Sequence, residues 1–310
     1  MTHIDIHEGV NRQVRRTRAR QSPHTSKNLL VTLRQWTTWL ASNGIHEFDS
    51  VTTGDVEDWI DDLLLDGYTD KSVLNKFYHL RKTYRAIDHD ICENIDVNHL
   101  SNEPHIDRHA EIRYISKDEY QQLLDACRDA RDAVLLALLW DTGIRANEAS
   151  QITLRDINRD EKTIKIKTGK QQKGSNPERT VYYTRDLSKA LRQWLDRGSR
   201  NAYLHSDISD NLLLTKQSGH MPPNRISEIV HEIAVIADLQ EVIWTTQDGR
   251  PQNRIHPHTF RHSYAVHRVR AGMPIVFLQE LLGHADIEVT KQYLKFRDED
   301  VREAYQRYRP

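Results

Sequence analysis

The chain has 310 residues and a mass of 36.3 kDa, which is enough for two domains, each with its own core. Hydrophobic residues make up 37% and charged residues 29%, a balance that excludes a disordered chain. The formal net charge of −1 neither supports nor excludes a nucleic-acid partner, because phosphate binding depends on a local basic surface.

Sequence features also bear on the compartment. Cys92 and Cys127 stand alone without metal-ligand spacing, which favours reduced thiols in a cytosolic protein. The first residues lack an apolar signal core, and the longest apolar run, 134–140, is too short to span a bilayer. We therefore expect the protein to stay in the cytoplasm.

Charge is segregated near the start of the chain. Residues 1–21 form a basic arm that we expect to be mobile until a partner binds its arginines, which are Arg12, Arg15, Arg16, Arg18 and Arg20. An acidic stretch follows at 47–66. It cannot lie on a nucleic acid and is expected to face solvent or a basic patch on a neighbouring protomer.

Three helices are predicted over 22–93. Ser22 is a candidate N-cap with Pro23 at the first helical position, and Asn43-Gly44 ends that helix. The second helix starts at Thr53 or Asp55, and the third starts near residues 69–70. Apolar periodicity is then lost over 94–110, which we interpret as a linker before a second domain at 111–310.

The second domain begins with a capping box, with Ser116 as N-cap and Glu119 three residues later. The apolar run 134–140 predicts a central buried helix. Alternation over 163–167 and 179–183 predicts a β-hairpin with a long, lysine-rich tip. Further helices are predicted at 188–195, 226–237, 259–270, 275–282, 289–296 and 298–308. The predicted fold is mainly α with a small β-hairpin, an α+β class.

Four short motifs form the candidate site. In chain order they are Thr142-Gly-Ile-Arg145-Ala-Asn-Glu148, His258-Thr-Phe-Arg261-His262, Leu281-Leu-Gly-His284 and Tyr293. Breaking a phosphodiester puts negative charge on its non-bridging oxygens, which the planar fork of arginine stabilises well. Histidine suits proton transfer near neutral pH, whereas a tyrosine nucleophile needs a base and a positive environment. Each motif alone is weak.

All four motifs in this order resemble the tyrosine recombinase or phage integrase family, in its Xer and phage or archaeal branch. The resemblance covers about 110–310, and residues 22–90 resemble the family's helical, SAM-like core-binding domain. It implies that Arg145 and Arg261 clamp a scissile phosphate that His284 also contacts. His258 would assist proton transfer, and Tyr293 would attack the phosphate to give a covalent 3′-phosphotyrosyl intermediate.

The resemblance also implies supporting groups. Glu148 would support the region of Arg145, and a lysine in the β-hairpin would act as general acid for the leaving 5′-oxygen. Counting from the end of the first strand favours Lys170, with Lys167 and Lys173 as alternatives. No cofactor or metal is implied.

The implied partner is double-stranded DNA that carries specific recombination sites, which places the protein at the nucleoid. The basic arm is one candidate DNA contact, and Arg81, Lys82 and Arg85 on the third helix are others. The family closes its two domains around the duplex and docks its C-terminal helix onto a neighbour. We therefore expect a homo-oligomer, a tetramer on DNA, joined through the helix at 298–308.

Two other functions compete with this one. A catalytically silent DNA-binding regulator of recombination is disfavoured because every matched position holds a chemically competent residue. A metal-dependent nuclease would need histidines and carboxylates at ligand spacing. His256, His258 and His262 are the only close group in the sequence, and no carboxylate falls near them.

Overall fold

The computed structural model describes residues 8–21, 23–93, 95–100, 112–167, 178–245, 249, 251–284 and 287–297. The chain divides into two compact units, Met1–Glu111 and Ile112–Pro310. Within the described residues helices predominate, and two small antiparallel sheets accompany them. The predicted α+β class is confirmed.

Four α-helices are described in the first unit: α1 (Glu8–Arg20), α2 (Pro23–Ser42), α3 (Thr53–Leu65) and α4 (Asp70–Arg85). The last three occupy the predicted positions. Thr52 caps α3 and forms a capping box with Asp55, because a short polar side chain satisfies the free backbone amides of the first turn. At the centre of the core, the indole of Trp36 donates a 3.1 Å hydrogen bond to the Tyr84 hydroxyl.

The basic arm differs from its prediction. Residues 8–20 form a helix instead of a mobile segment, and α1 packs against α2. Val10, Gln13 and Thr17 are buried, whereas all five arginines of the arm are exposed. Because these buried residues recur three and four positions apart, they give α1 one narrow packing face that the many arginines conceal in the sequence.

The structure also describes part of the predicted linker and the whole of the acidic stretch at 47–66. Ile95 and Leu100 belong to the core of the first unit, so packed structure extends into the first part of the predicted linker. The remainder of that linker, 101–110, lies outside the described residues. The acidic side chains of 47–66 are exposed apart from the capping residue Asp55, as expected.

Eight helices and five strands are described in the second unit. The helices are α5 (Lys117–Asp125), α6 (Ala130–Thr142), α7 (Ala146–Ser150), α8 (Arg185–Leu191), α9 (Pro223–Ile236), α10 (Pro257–Arg270), α11 (Ile275–Leu282) and α12 (Glu288–Lys291). The strands are β1 (Ile157–Asn158), β2 (Thr163–Lys167), β3 (Glu178–Tyr182), β4 (Val242–Thr245) and β5 (Pro251–Asn253). One antiparallel sheet has the order β1-β2-β3, and β4 pairs with β5.

The centre of the second unit follows the sequence pattern. Helix α6 is buried along nearly its whole length and contacts both α8 and α10. The predicted capping box is present, since the Ser116 side chain accepts a bond from the Glu119 amide and Glu119 bonds the Ser116 amide in return. In the predicted hairpin, Ile164 of β2 lies opposite Val181 of β3, and both side chains are buried.

Two parts of this unit depart from the predictions, and two predicted segments lie outside the described residues. The β4–β5 hairpin was not predicted. The helix expected at 289–296 is interrupted, because α12 ends at Lys291 and the Tyr293 amide donates to Thr290 three residues back. The hairpin tip, 168–177, and the predicted terminal helix, 298–308, lie outside the described residues.

Gly143 sets the direction of the chain between α6 and α7. It ends α6 in the left-handed conformation, with φ of +61°. A Cβ at this position would lie 2.7 Å from a ring carbon of Tyr264, so the site has no room for a side chain. Glycine therefore allows both the sharp turn and the close contact with α10.

We predict that Gly143→Ala destabilises the protein by about 2–5 kcal/mol, which combines left-handed strain with overpacking against Tyr264. Gly198→Ala is the matched control, because Gly198 also has positive φ (+78°) but no atom within 4 Å of the added Cβ. That control should lose only about 1–2 kcal/mol from strain. Denaturant unfolding measures both, and equal losses would contradict the steric argument.

Candidate active site

Helix α7 begins at the first candidate arginine. Arg145 is the N-cap residue, and its backbone amide donates a 2.8 Å hydrogen bond to Glu148, which lies three residues later. Its guanidinium lies 3.3 Å from the same carboxylate. The Arg145 side chain is 42% exposed, whereas that of Glu148 is 4% exposed. The carboxylate thus fixes the backbone of Arg145, while the guanidinium of Arg145 stays accessible to a ligand.

Glu148 is held mainly by another arginine. Both terminal nitrogens of Arg179 donate 2.9 Å bonds to the two carboxylate oxygens of Glu148, one to each. Burial opposes ionisation of this carboxyl, but the hydrogen bonds and charge of Arg179 outweigh it, so the pKa of Glu148 is lowered. Glu148 is therefore a buried, charged anchor for two arginines, a larger role than the predicted support of Arg145 alone.

Arg179 was not among the predicted site residues. Its Nε donates a further 2.9 Å bond to the carbonyl of Leu281, so β3 is tied to the end of α11. The sequence held one signal for it. Arg179 lies two residues before the buried Val181 on β3 and so shares its inward face, where a charged residue requires a buried partner.

Arg261 is the most enclosed cation of the site, with only 1% of its surface exposed. Its terminal nitrogens donate to the carbonyls of Gly143, at 2.8 Å, and Leu282, at 2.6 Å. Its Nε is buried and has no hydrogen-bond partner among the described residues. Burial, followed by the charge of Arg145, lowers the pKa of Arg261 to about 9. An anion between the two arginines would relieve this repulsion.

Two predicted histidines stand beside these cations. The Nδ1 of His284 lies 2.8 Å from the hydroxyl of Thr290, which fixes the ring. Burial lowers the pKa of His284 to about 3, and the charges of Arg261 and Arg145 act in the same direction. His258 keeps an exposed face, yet desolvation and the charges of neighbouring groups lower its pKa as well. Both rings are neutral at pH 7.

The candidate nucleophile lies in the turn after α12. Tyr293 is 1% exposed, and its hydroxyl lies 2.7 Å from Nδ1 of His262. Burial raises the pKa of Tyr293 to about 12, while the charges of Arg261 and Arg145 oppose that rise. The phenol is therefore protonated at neutral pH, close enough to both arginines to be influenced by their charge. His262 had no predicted role.

The candidate general acids are only partly described. Lys167 ends β2, is more than half exposed, and lies 3.8 Å from the Asp156 carboxylate. Lys170 and Lys173 fall in the hairpin tip outside the described residues. The choice of Lys170 stays a prediction.

The predicted DNA contacts in the first unit have unequal surroundings. The arginines of α1 and Lys82 are exposed. Arg81 and Arg85, in contrast, share one partner, since each donates to the carboxylate of Glu93. Phosphate would have to compete with Glu93 for these two side chains. Their role in DNA binding stays a prediction.

The structure also bears on metal binding, membrane insertion and the state of the cysteines. Across the described ranges, no group of three or more histidine, cysteine, aspartate or glutamate residues could hold a metal ion. None of the described helices is long and apolar enough to cross a membrane. The two cysteines are free, with Cys92 buried and Cys127 half-buried.

Comparison with protein families gives two matches. The model of the phage integrase family matches residues 113–300, and that of the phage integrase N-terminal SAM-like domain matches 16–89. The chain belongs to the phage integrase family of tyrosine recombinases. All four sequence motifs of the candidate site lie within the first match, and helices α2, α3 and α4 lie within the second.

Individual relatives agree with this assignment. The recombinase is 28% identical over 304 residues to tyrosine recombinase XerC of Oceanobacillus iheyensis, covering 93% of this chain and 91% of that protein. It is also 28% identical over 286 residues to tyrosine recombinase XerD of Bifidobacterium longum, covering 86% and 85%. The solved structure of XerH recombinase bound to a difH substrate after cleavage has the same fold, with a TM-score of 0.68 at 17% identity over 95% of this chain and 82% of that one.

These matches make the chain an enzyme, a site-specific recombinase of the tyrosine type. They do not favour the alternatives of a silent regulator or a metal-dependent nuclease.

We predict that Arg179→Met destabilises the recombinase by about 3–5 kcal/mol, because it leaves the buried carboxylate of Glu148 without its main partner. Arg159→Met is the matched control, since Arg159 makes the same two-bond contact with Asp196 on an exposed surface. Water screens that pair, so its loss should be far smaller. Denaturant unfolding at neutral pH compares the two variants, and similar losses would contradict the anchoring role of Arg179.

Proposed function

We propose that this recombinase cleaves and rejoins duplex DNA at specific sites with Tyr293 as nucleophile, through a covalent 3′-phosphotyrosyl intermediate. One observation carries the assignment of the nucleophile. The Tyr293 hydroxyl is hydrogen-bonded inside the cluster that contains Arg145, Arg261 and His284, and it feels the charges of both arginines. Tyrosine needs this positive environment to attack at neutral pH.

The scissile phosphate binds at Arg145 and Arg261 in this proposal. Arg261 brings a buried charge and an Nε–H that has no hydrogen-bond partner among the described residues. Arg145 brings an exposed guanidinium, and Glu148 fixes its backbone. His284 completes the contact, with its ring orientation set by Thr290. Donors held in place before the reaction stabilise the charge that develops on the phosphate oxygens without reorganising.

Proton transfer needs two further groups. His258 lies at the exposed edge of the cluster, edge-to-face with His262, with 4.4 Å between ring centroids. We assign it the assistance of proton transfer on the DNA side of the site. The leaving 5′-oxygen takes its proton from the hairpin lysine, for which Lys170 is our choice. The arginines supply the positive charge that a metal ion would otherwise bring.

We also propose how the recombinase meets its substrate. The exposed arginines of α1, together with Lys82 on α4, contact phosphates, and Arg81 and Arg85 join them on release from Glu93. Four copies assemble on DNA through the C-terminal helix at 298–308. The expected place of action is the cytoplasm, at the nucleoid. The DNA partner is supported by solved relatives that are described as bound to DNA, among them XerH on its difH substrate.

Tyr293→Phe tests the nucleophile. We expect the variant to bind DNA about as well as the parent and to form no covalent adduct with a nicked suicide substrate, because only one hydroxyl is removed. The matched control is Tyr264→Phe, which alters another buried tyrosine of the same unit and should still form the adduct. Denaturing gels report the adduct, in buffer with a metal chelator.

Two outcomes would contradict the proposal. An adduct formed by Tyr293→Phe would show that another group attacks the phosphate. Loss of the parent's adduct on chelation would show that a metal ion takes part in the reaction.

A substrate with sulfur at the 5′ bridging position tests the general acid. We expect Lys170→Ala to slow cleavage of ordinary DNA by about 10²–10⁴-fold, the range of a lost general acid. The sulfur substrate should be cleaved almost normally, because a thiolate leaves without a proton. Lys167→Ala and Lys173→Ala are the controls. Equal slowing of both substrates by Lys170→Ala would remove it as the acid.

A further inference from the structure

The contact between Tyr293 and His262 assigns a role to a residue that the mechanism above leaves unused. His262 follows Arg261 on α10, and its Nδ1 lies 2.7 Å from the phenolic oxygen. The ring is half-buried and tilted by 53° against the tyrosine ring, with centroids 5.8 Å apart. Among the described residues, no other hydrogen bond to the Tyr293 hydroxyl is present.

We infer that His262 is a catalytic residue that accepts the phenolic proton of Tyr293 at Nδ1 when the tyrosine attacks DNA. The inference rests on the proposed function. Sequence reasoning assigned proton transfer to His258, but the structure brings the ring of His262 to the nucleophile. His258 instead makes an edge-to-face contact with His262.

The step balances with the groups already named. The O–H bond of Tyr293 breaks, its proton moves to Nδ1 of His262, and the phenolic oxygen forms a bond to phosphorus. The P–O5′ bond breaks with its electron pair on O5′, which takes a proton from the hairpin lysine. On rejoining, O5′ attacks, and His262 returns its proton to the leaving phenolate.

The state of the His262 ring agrees with this role. Burial first, and then the charges of His256 and Arg261, lower the pKa of His262 to about 4. The ring is therefore neutral at pH 7, and with Nδ1 as acceptor it carries its proton on Nε2. A bound phosphodiester is negatively charged and opposes the effect of Arg261, so it raises the proton affinity of the ring when the proton must move.

The test compares two variants at position 262 with the parent. His262→Gln keeps a carbonyl that accepts a hydrogen bond but cannot take up a proton, and His262→Ala removes both functions. We expect both to slow covalent adduct formation by about 10²–10⁴-fold, the range of a lost general base. His220→Gln, which alters an exposed histidine of the same unit, should retain the parent rate. Half-site binding and thermal unfolding check that each variant folds. If His262→Gln does not fold, His262→Asn takes its place.

A second measurement distinguishes proton transfer from positioning. Fluorotyrosine at position 293 has a more acidic phenol, so it depends less on a base. We expect the loss caused by His262→Gln to be about tenfold smaller with fluorotyrosine than with tyrosine, one pKa unit being a factor of ten in ionisation. A purely positioning role predicts the same loss with both nucleophiles.

The outcomes separate this inference from the proposed function. Parent-like adduct formation by His262→Gln, or equal losses with tyrosine and fluorotyrosine, would overturn the role of His262 alone. Absence of a Tyr293-dependent adduct from the parent chain would overturn the proposed function and this inference together.

Discussion

The buried carboxylate of Glu148 makes the interactions on which the rest of the candidate active site depends. It binds Arg179 through two hydrogen bonds and holds Arg145 through both its backbone and side chain. Arg179 in turn bonds the carbonyl of Leu281. Glu148 thus joins the start of α7 to β3, and Arg179 joins β3 to the end of α11. Without Glu148, the buried guanidinium groups of Arg179 and Arg261 would lie near that of Arg145 with no carboxylate among them, and like charges repel strongly where water is largely excluded.

One negative charge does not balance three positive ones, and the excess adds to the effect of burial on the neighbouring groups. Burial first, and then the charges of nearby arginines, lower the pKa values of Arg261 and His284. Burial keeps Tyr293 protonated. Glu148 thus offsets only part of the positive charge that the arginines bring together. In the proposed function, the phosphodiester adds negative charge beside them, so substrate binding also makes the histidines better proton acceptors.

Much of this arrangement could be predicted from the sequence because it rests on local patterns. Apolar periodicity and capping residues located α2, α3, α4 and α6, and the four motifs named residues that the structure brings together at the candidate site. Arg179 could not be located in this way, because its partner Glu148 lies 31 residues away and only tertiary packing joins them. Helix α1 was missed because its arginines mask a narrow packing face. The interruption after α12 was missed because periodicity does not reveal a change to bonds between residues three apart.

That interruption matters because it places two residues of one turn against two histidines. Thr290 bonds Nδ1 of His284, and Tyr293 bonds Nδ1 of His262. Arg261 is close to both contacts. It directly precedes His262 on α10, and it donates a hydrogen bond to the carbonyl of Leu282, two residues before His284. In the proposed function, a phosphate bound by Arg261 therefore acts on both rings that hold the segment of Tyr293. Because the bonds at Nδ1 depend on ring protonation, the proposed function links the charge of the substrate to the position of Tyr293 through two neutral histidines.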